Sequence, residues 1–131
     1  MLVRTFSIVR DERVVATMPP HHIYGLLFGV LVPLVAGAAF DRDTVLHAEP
    51  LAQLLGRDRA RVLVSVPVHL RALAVLERAQ LSSLTRVFSS GAALPRETAA
   101  MMRERFGLRV TEVLGSSETG GIAWRDDPDA P

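Results

Sequence analysis

Short apolar, β-branched runs alternate along the chain with longer amphipathic ones. Val14–Met18, Ala38–Asp41, Arg61–Val66, Arg86–Ser89, Arg109–Leu114 and Ile122–Trp124 read as strands. Between them, Ile23–Ala36, Pro50–Arg57, Val68–Ala79 and Pro95–Phe106 read as helices. Pro50 and Pro95 stand in first turns, where a missing N–H costs nothing, and Gly107 marks a stop. Residues 126–131 read as a frayed tail. Strands separated by helices imply parallel pairing through right-handed crossovers. The fold class expected is therefore α/β: a three-layer sandwich with a mostly parallel sheet and helices on both faces. Residues 1–131 form a single subdomain, with no repeat and no linker long enough to divide them.

Ligands of such sheets bind at the carboxyl ends of strands. Four segments fall there: Pro19–Tyr24, Ser65–Pro67, Ser89–Leu94 and Gly115–Gly121. Composition narrows what they can do. The chain has 131 residues, is 49% apolar and carries a net charge of +1. Its 15 basic residues are all Arg, and it has no Cys. Thiolate zinc sites, a Cys nucleophile, a Schiff-base lysine and a P-loop lysine are thus excluded within it. The near-neutral charge and 5% aromatic content give no footprint for nucleic acid. Residues 1–13 carry five charges and no apolar run of signal-peptide length, so a cytoplasmic location is expected. The Arg-only usage points to a GC-rich, bacterial source.

Ile23–Phe40 runs 18 residues without a charge, and Gly25 and Gly29 stand at a GxxxG spacing. Pro33 and Gly37 interrupt the run, and Asp41 and Arg42 follow it directly. A buried helix and strand are expected there, with no membrane span.

The strand-to-helix turn of VFSSGAALPRE offers small residues and free N–H groups to a polar or anionic group. By itself it also fits an ordinary connection. The turn GSSETGG places the Ser116, Ser117 and Thr119 hydroxyls beside the Glu118 carboxylate. Such a pair suits a phosphate with its Mg²⁺, since hard cations take oxygen ligands. A polar loop is the plainer alternative. Gly115–Thr119 nearly matches the hydrolase elbow G-x-S-x-G, but Thr119 replaces the second Gly and no His follows His69. His21 and His22 are adjacent rather than at i, i+4, so a metal pair is not expected. A His lining a pocket fits them better, and so does one that caps a helix or faces solvent.

Taken in order, these segments resemble the AMP-forming adenylating enzymes: acyl- and aryl-CoA synthetases, luciferases and peptide-synthetase adenylation domains. Met18–Gly25, then an apolar helix and Gly37-Ala38, resembles the motif P-x-F-H-x-Y-G … G-A. Ser90–Pro95 resembles S-G-G/A-A-x-L, and Leu114–Gly121 resembles Y-G-x-T-E-x-G. The resemblance runs from Val14 to Trp124.

It implies roles position by position. Gly91, Ala92 and Ala93 match the loop along the adenine, and Gly115, Ser116 and Ser117 are further implied nucleotide-binding residues. Ser117 stands at the phosphate-binding threonine, and Glu118 at the glutamate associated with Mg²⁺. Ser117 and Glu118 are thereby the implied catalytic residues. His22 and Tyr24 match the gate and wall of the carboxylate-substrate pocket. The implied reaction activates an acid with ATP as acyl-adenylate, then passes the acyl group to a thiol of coenzyme A or of a carrier protein. The apolar lining suits a fatty or aryl acid. Two departures stand out: Leu114 replaces an aromatic, and Ser117 replaces the threonine.

The family's phosphate loop, ribose-binding aspartate and catalytic lysine have no counterpart here. The chain therefore reads as an internal piece of the large N-terminal part. By itself it is expected to be inactive and to self-associate, most simply as a dimer, through the apolar surface it leaves uncovered. A stand-alone, non-catalytic nucleotide- or acyl-binding module is the alternative.

Overall fold

A computed structural model describes residues 6–126, so most of the expected tail lies outside the described residues. The first half comprises β1 (Arg13–Ala16), α1 (Ile23–Leu26), a π-helical stretch (Leu27–Leu31), α2 (Val32–Ala36), β2 (Ala39–Phe40) and α3 (Ala48–Arg57). The second comprises β3 (Val62–Ser65), α4 (Pro67–Ala72), β4 (Arg86–Ser89), α5 (Arg96–Phe106), β5 (Val110–Ser116) and β6 (Gly120–Arg125). The strands form one six-stranded sheet in the order β2-β1-β3-β4-β5-β6. All neighbours pair in parallel except β5 and β6, which are antiparallel. The fold is α/β with helices on both faces.

Alternation along the strands divides two cores. Val15, Leu63, Val87 and Val110 point to the face covered by α3, α4 and α5. Val14, Val62, Val64, Phe88 and Val113 point to the other face, against Phe28 and Val32 of the α1–α2 rod. The interior strands are apolar on both sides because both sides are covered. Burying each large side chain contributes roughly 1.5–3 kcal/mol.

The α1–α2 rod explains the uncharged run. Pro33 cannot donate a backbone hydrogen bond, and the helix widens to π geometry just before it. Gly25 and Gly29 let the rod press against the sheet. A Cβ on Gly25 would lie 2.8 Å from the Met18 carbonyl oxygen, and one on Gly29 would lie 3.0 Å from Ala16 Cβ. The two glycines thus serve packing of the rod, Gly29 against β1 and Gly25 against the loop that follows it. Among the described residues no helix is long and apolar enough to cross a membrane.

Two elements differ from expectation. The helix expected over Val68–Ala79 is α4, a 3₁₀ turn at Leu73–Val75, and a second 3₁₀ turn at Arg78–Leu81. Leu76 is extended between them and fully buried. Glu77 starts the second turn with a capping box: its N–H donates to Gln80 Oε1 at 2.7 Å. A local cap and a buried leucine outweigh helical periodicity there. The glycine-rich turn is also shorter than it reads. β5 runs on through Gly115 and Ser116, and β6 begins at Gly120, so a hairpin replaces the expected loop. α5 ends as its sequence implies: Gly107 is left-handed (φ 72°), and Leu108 N–H donates back to the Met102 carbonyl at 3.0 Å.

Candidate functional site

β4 and β5 are neighbours, and their carboxyl ends open into a cleft of about 450 Å³. Ser90–Ala93, in the β4–α5 connection, forms one wall. Glu112–Gly115 of β5 forms the second, and Ala123–Arg125 of β6 close the side. Gly91 adopts φ +88°, where a side chain would strain the backbone. A Cβ there would meet only Val66 Cγ1, at 3.6 Å, so the space itself is open. Small residues at 91–93 leave the loop backbone accessible to a flat ligand.

Side chains lock this loop to the hairpin. Ser90 Oγ donates to the Val113 carbonyl at 2.7 Å. The Leu94 N–H donates to Glu112 Oε1 at 2.7 Å, and Arg125 Nε donates to Glu112 Oε2 at 2.6 Å. Glu112 and Arg125 are site residues that sequence reasoning misses. Their one legible signal is the parity of β5: Glu112 stands two residues before Leu114, and in the sheet it pairs with Ser89, the last residue of β4.

The hairpin tip carries the remaining polar groups. Ser116 Oγ lies 2.9 Å from Thr119 Oγ1 and accepts the Thr119 N–H at 3.2 Å. Ser117 and Glu118 are exposed at the turn. The Ser116 hydroxyl beside Glu118 holds its carboxyl below the usual carboxylate range, so it stays ionised at neutral pH. Gly91, Ala92, Ala93 and Gly115 therefore share the cleft wall, while Ser116, Ser117 and Glu118 sit together beyond its end. Among the described residues no group of three or more His, Cys, Asp or Glu side chains could hold a metal ion.

His22 and Tyr24 lie elsewhere, on the connection from β1 into the rod. His22 is the exposed residue preceding α1, its ring 4.5 Å from that of His21. It makes no side-chain cap. The Tyr24 hydroxyl is buried without a hydrogen-bond partner among the described residues. Desolvation raises its pKa well above the ordinary tyrosine value, and the nearby Ser65 backbone offsets only part of this. Tyr24 starts an aromatic row. Its ring lies 5.2 Å from Phe28, Phe28 lies 5.4 Å from Phe6, and Phe6 lies 5.7 Å from Trp124 on the cleft wall. Packed rings thus run from Tyr24 to the cleft. Leu114, where the resembling motif has an aromatic, is exposed.

Comparison with known proteins bears on the family and the fold. A 4-coumarate–CoA ligase of Rhodobacter capsulatus is 38% identical over 117 residues, which is 89% of this chain and 29% of that protein. A sulfoacetate–CoA ligase of Cupriavidus necator is 32% identical over 90% of this chain and 23% of its own length. The chain spans less than a third of these relatives. Apo MatB from Rhodopseudomonas palustris superposes with a TM-score of 0.89 at 23% identity, over 99% of this chain and 26% of that one. That likeness concerns the fold. The family model for AMP-binding enzymes matches residues 1–131, end to end. The chain belongs to the AMP-binding enzyme family.

Proposed function

We propose that this chain supplies the nucleotide cleft and one side of the acid site of an AMP-forming acid–CoA ligase. The observation that carries the reading is convergence. The small-residue loop after β4 and the β5–β6 hairpin wall one cleft, with the hydroxyls and carboxylate of the hairpin tip just beyond it, at the carboxyl ends of the strands where such folds bind ligands.

The residues fit ATP. The backbone of Gly91, Ala92 and Ala93 takes the adenine, with Gly115 on the opposing wall. Ser116 sets the hairpin tip, and Ser117 donates its hydroxyl to a phosphate oxygen. Glu118 is an ionised carboxylate with a free face. A single carboxylate suits Mg²⁺ that arrives with the nucleotide, since Mg²⁺ commonly uses one or two carboxylates plus substrate phosphates. When bound, that ion would neutralise charge on the phosphate oxygens. His22 and Tyr24 stand on the acid side.

In the reaction, a carboxylate oxygen of the acid attacks the α-phosphorus, and the bond to the departing pyrophosphate breaks. The acyl-adenylate then yields its acyl carbon to the thiolate of coenzyme A, and AMP leaves. Side chains here position and stabilise charge, and none need form a covalent bond. The CoA-ligase relatives favour coenzyme A as the acceptor over a carrier protein. The apolar and aromatic lining near Tyr24 favours an aryl or fatty acid.

The test is acyl-CoA formation by the full-length protein, with ATP, Mg²⁺ and coenzyme A, across aryl, fatty and dicarboxylic acids. Acid-dependent thioester and AMP are expected. A protein that binds ATP yet gives ADP, or gives no thioester with any acid, refutes the reading.

A further inference from the structure

A buried hydrogen-bond network lies outside the nucleotide cleft. We propose that Thr17, Ser65 and His69 form a positioning network that fixes the Met18–His22 loop beside the acid site. The proposal rests on reading that side of the molecule as the acid-binding side.

Thr17 is the residue from which the loop departs. It is completely buried, and Ser65 is nearly so. Thr17 Oγ1 lies 2.8 Å from Ser65 Oγ and 2.9 Å from His69 Nδ1. These partners come from 48 and 52 residues away, on β3 and α4. The Thr17 N–H also donates to the Val64 carbonyl at 2.9 Å. One residue thus gathers the end of β1, the end of β3 and the start of α4.

Beyond Thr17 the loop packs against Gly25, but its own backbone offers few hydrogen bonds. Pro19 and Pro20 have no N–H to donate. Within the loop, the His22 N–H donates to the Pro19 carbonyl at 3.1 Å. Met18 and Pro20 line a second cleft, of about 230 Å³, against Gly25 and Gly29 of the rod. A shift at Thr17 therefore moves both the wall of that cleft and the point where His22 leads into α1. His69 makes the network more than core packing. It is half-buried on α4, and its desolvation favours the neutral ring, whose Nδ1 then shares a single proton with the Thr17 hydroxyl.

The test compares Thr17→Val, Thr17→Ser, His69→Ala and His69→Asn in the full-length protein. Val keeps the shape and removes the hydroxyl; Ser restores it. Asn offers a polar atom near the Nδ1 position; Ala does not. Two readouts are taken: amide exchange of the Met18–Gly25 segment, and KM for acid against KM for ATP. Thr17→Val and His69→Ala should each speed loop exchange and raise the acid KM by about tenfold, the scale of one buried hydrogen bond. The ATP KM and the exchange of α5 should stay put, and Ser and Asn should recover most of the loss. Unchanged loop exchange in both truncations overturns the proposal. So does a loosened loop with acid and ATP KM rising together. If Thr17→Val does not fold, His69→Ala against His69→Asn gives the same decision. A wild-type protein that makes no acyl-adenylate refutes the ligase reading instead, and the exchange comparison still decides whether the network holds the loop.

Discussion

Glu112 joins the two walls of the cleft. One carboxylate oxygen accepts the Leu94 N–H at 2.7 Å, and the other accepts Arg125 Nε at 2.6 Å. The carboxylate is nearly buried while the arginine is half exposed. A hydrogen bond to a charged group is worth about 1.5–3 kcal/mol, so its loss should be felt at the adenine loop. Glu112→Ala should raise the ATP KM roughly tenfold to a hundredfold. Glu112→Gln keeps an acceptor for Leu94 and should cost less. Initial rates at varied ATP separate the two; equal effects would mean the charge alone matters.

Three glycines should respond differently to alanine. Gly25→Ala places Cβ 2.8 Å from the Met18 carbonyl, against backbone that cannot swing away. It should destabilise by about 1–3 kcal/mol, as overpacking does. At Gly91 the space is open but φ is +88°. Its alanine variant should cost about 1–2 kcal/mol through the backbone and weaken nucleotide binding. Gly56 sits in α3, and a methyl added there would meet nothing within 4 Å. Gly56→Ala should add about 0.5–1 kcal/mol. Chemical unfolding of the three variants checks the order.

Trp124 is the chain's one tryptophan and lines the nucleotide cleft. Its ring packs edge-on to Phe6 at 5.7 Å and is half exposed. ATP binding should therefore change its emission, and Trp124→Phe should diminish that change. An ATP-dependent signal undiminished in Trp124→Phe would place the nucleotide elsewhere.

His69 gives a pH dependence of definite sign. Burial lowers its pKa in the fold, so the unfolded chain takes up a proton first as pH falls through about 6.5. Stability from the neutral ring is whole above that pH and is lost below it, until the folded form also protonates. Thermal unfolding of wild type should fall more steeply between neutral and mildly acid pH than that of His69→Asn. Parallel curves would assign the acid sensitivity to other groups.

The alternation of strands and helices was legible because each strand has its own apolar run and each helix its own period. Arg86–Ser89 has the same bounds in the fold as in the pattern. Periodicity overreached at Val68–Ala79, where Leu70, Leu73 and Leu76 share spacing but Leu76 reaches the core from extended backbone. The glycines flanking SSET masked a hairpin, since turn composition hides how far β5 continues. That the loop after β4 and the turn after β5 both follow strands was legible; that these strands are neighbours is a property of the folded sheet. The pairing of Glu112 with Leu94, and of Thr17 with Ser65 and His69, was not legible either. Those bonds join residues 18, 48 and 52 positions apart, and no local pattern encodes them.

The most direct test follows oxygen. The full-length protein is given an acid labelled with ¹⁸O in its carboxylate, together with ATP, Mg²⁺ and coenzyme A. If the carboxylate attacks the α-phosphorus, one labelled oxygen leaves with AMP when the thiol takes the acyl group, and mass spectrometry finds it there. Label in inorganic phosphate alongside ADP, or AMP without label, would contradict the assignment of this cleft to acyl-adenylate formation.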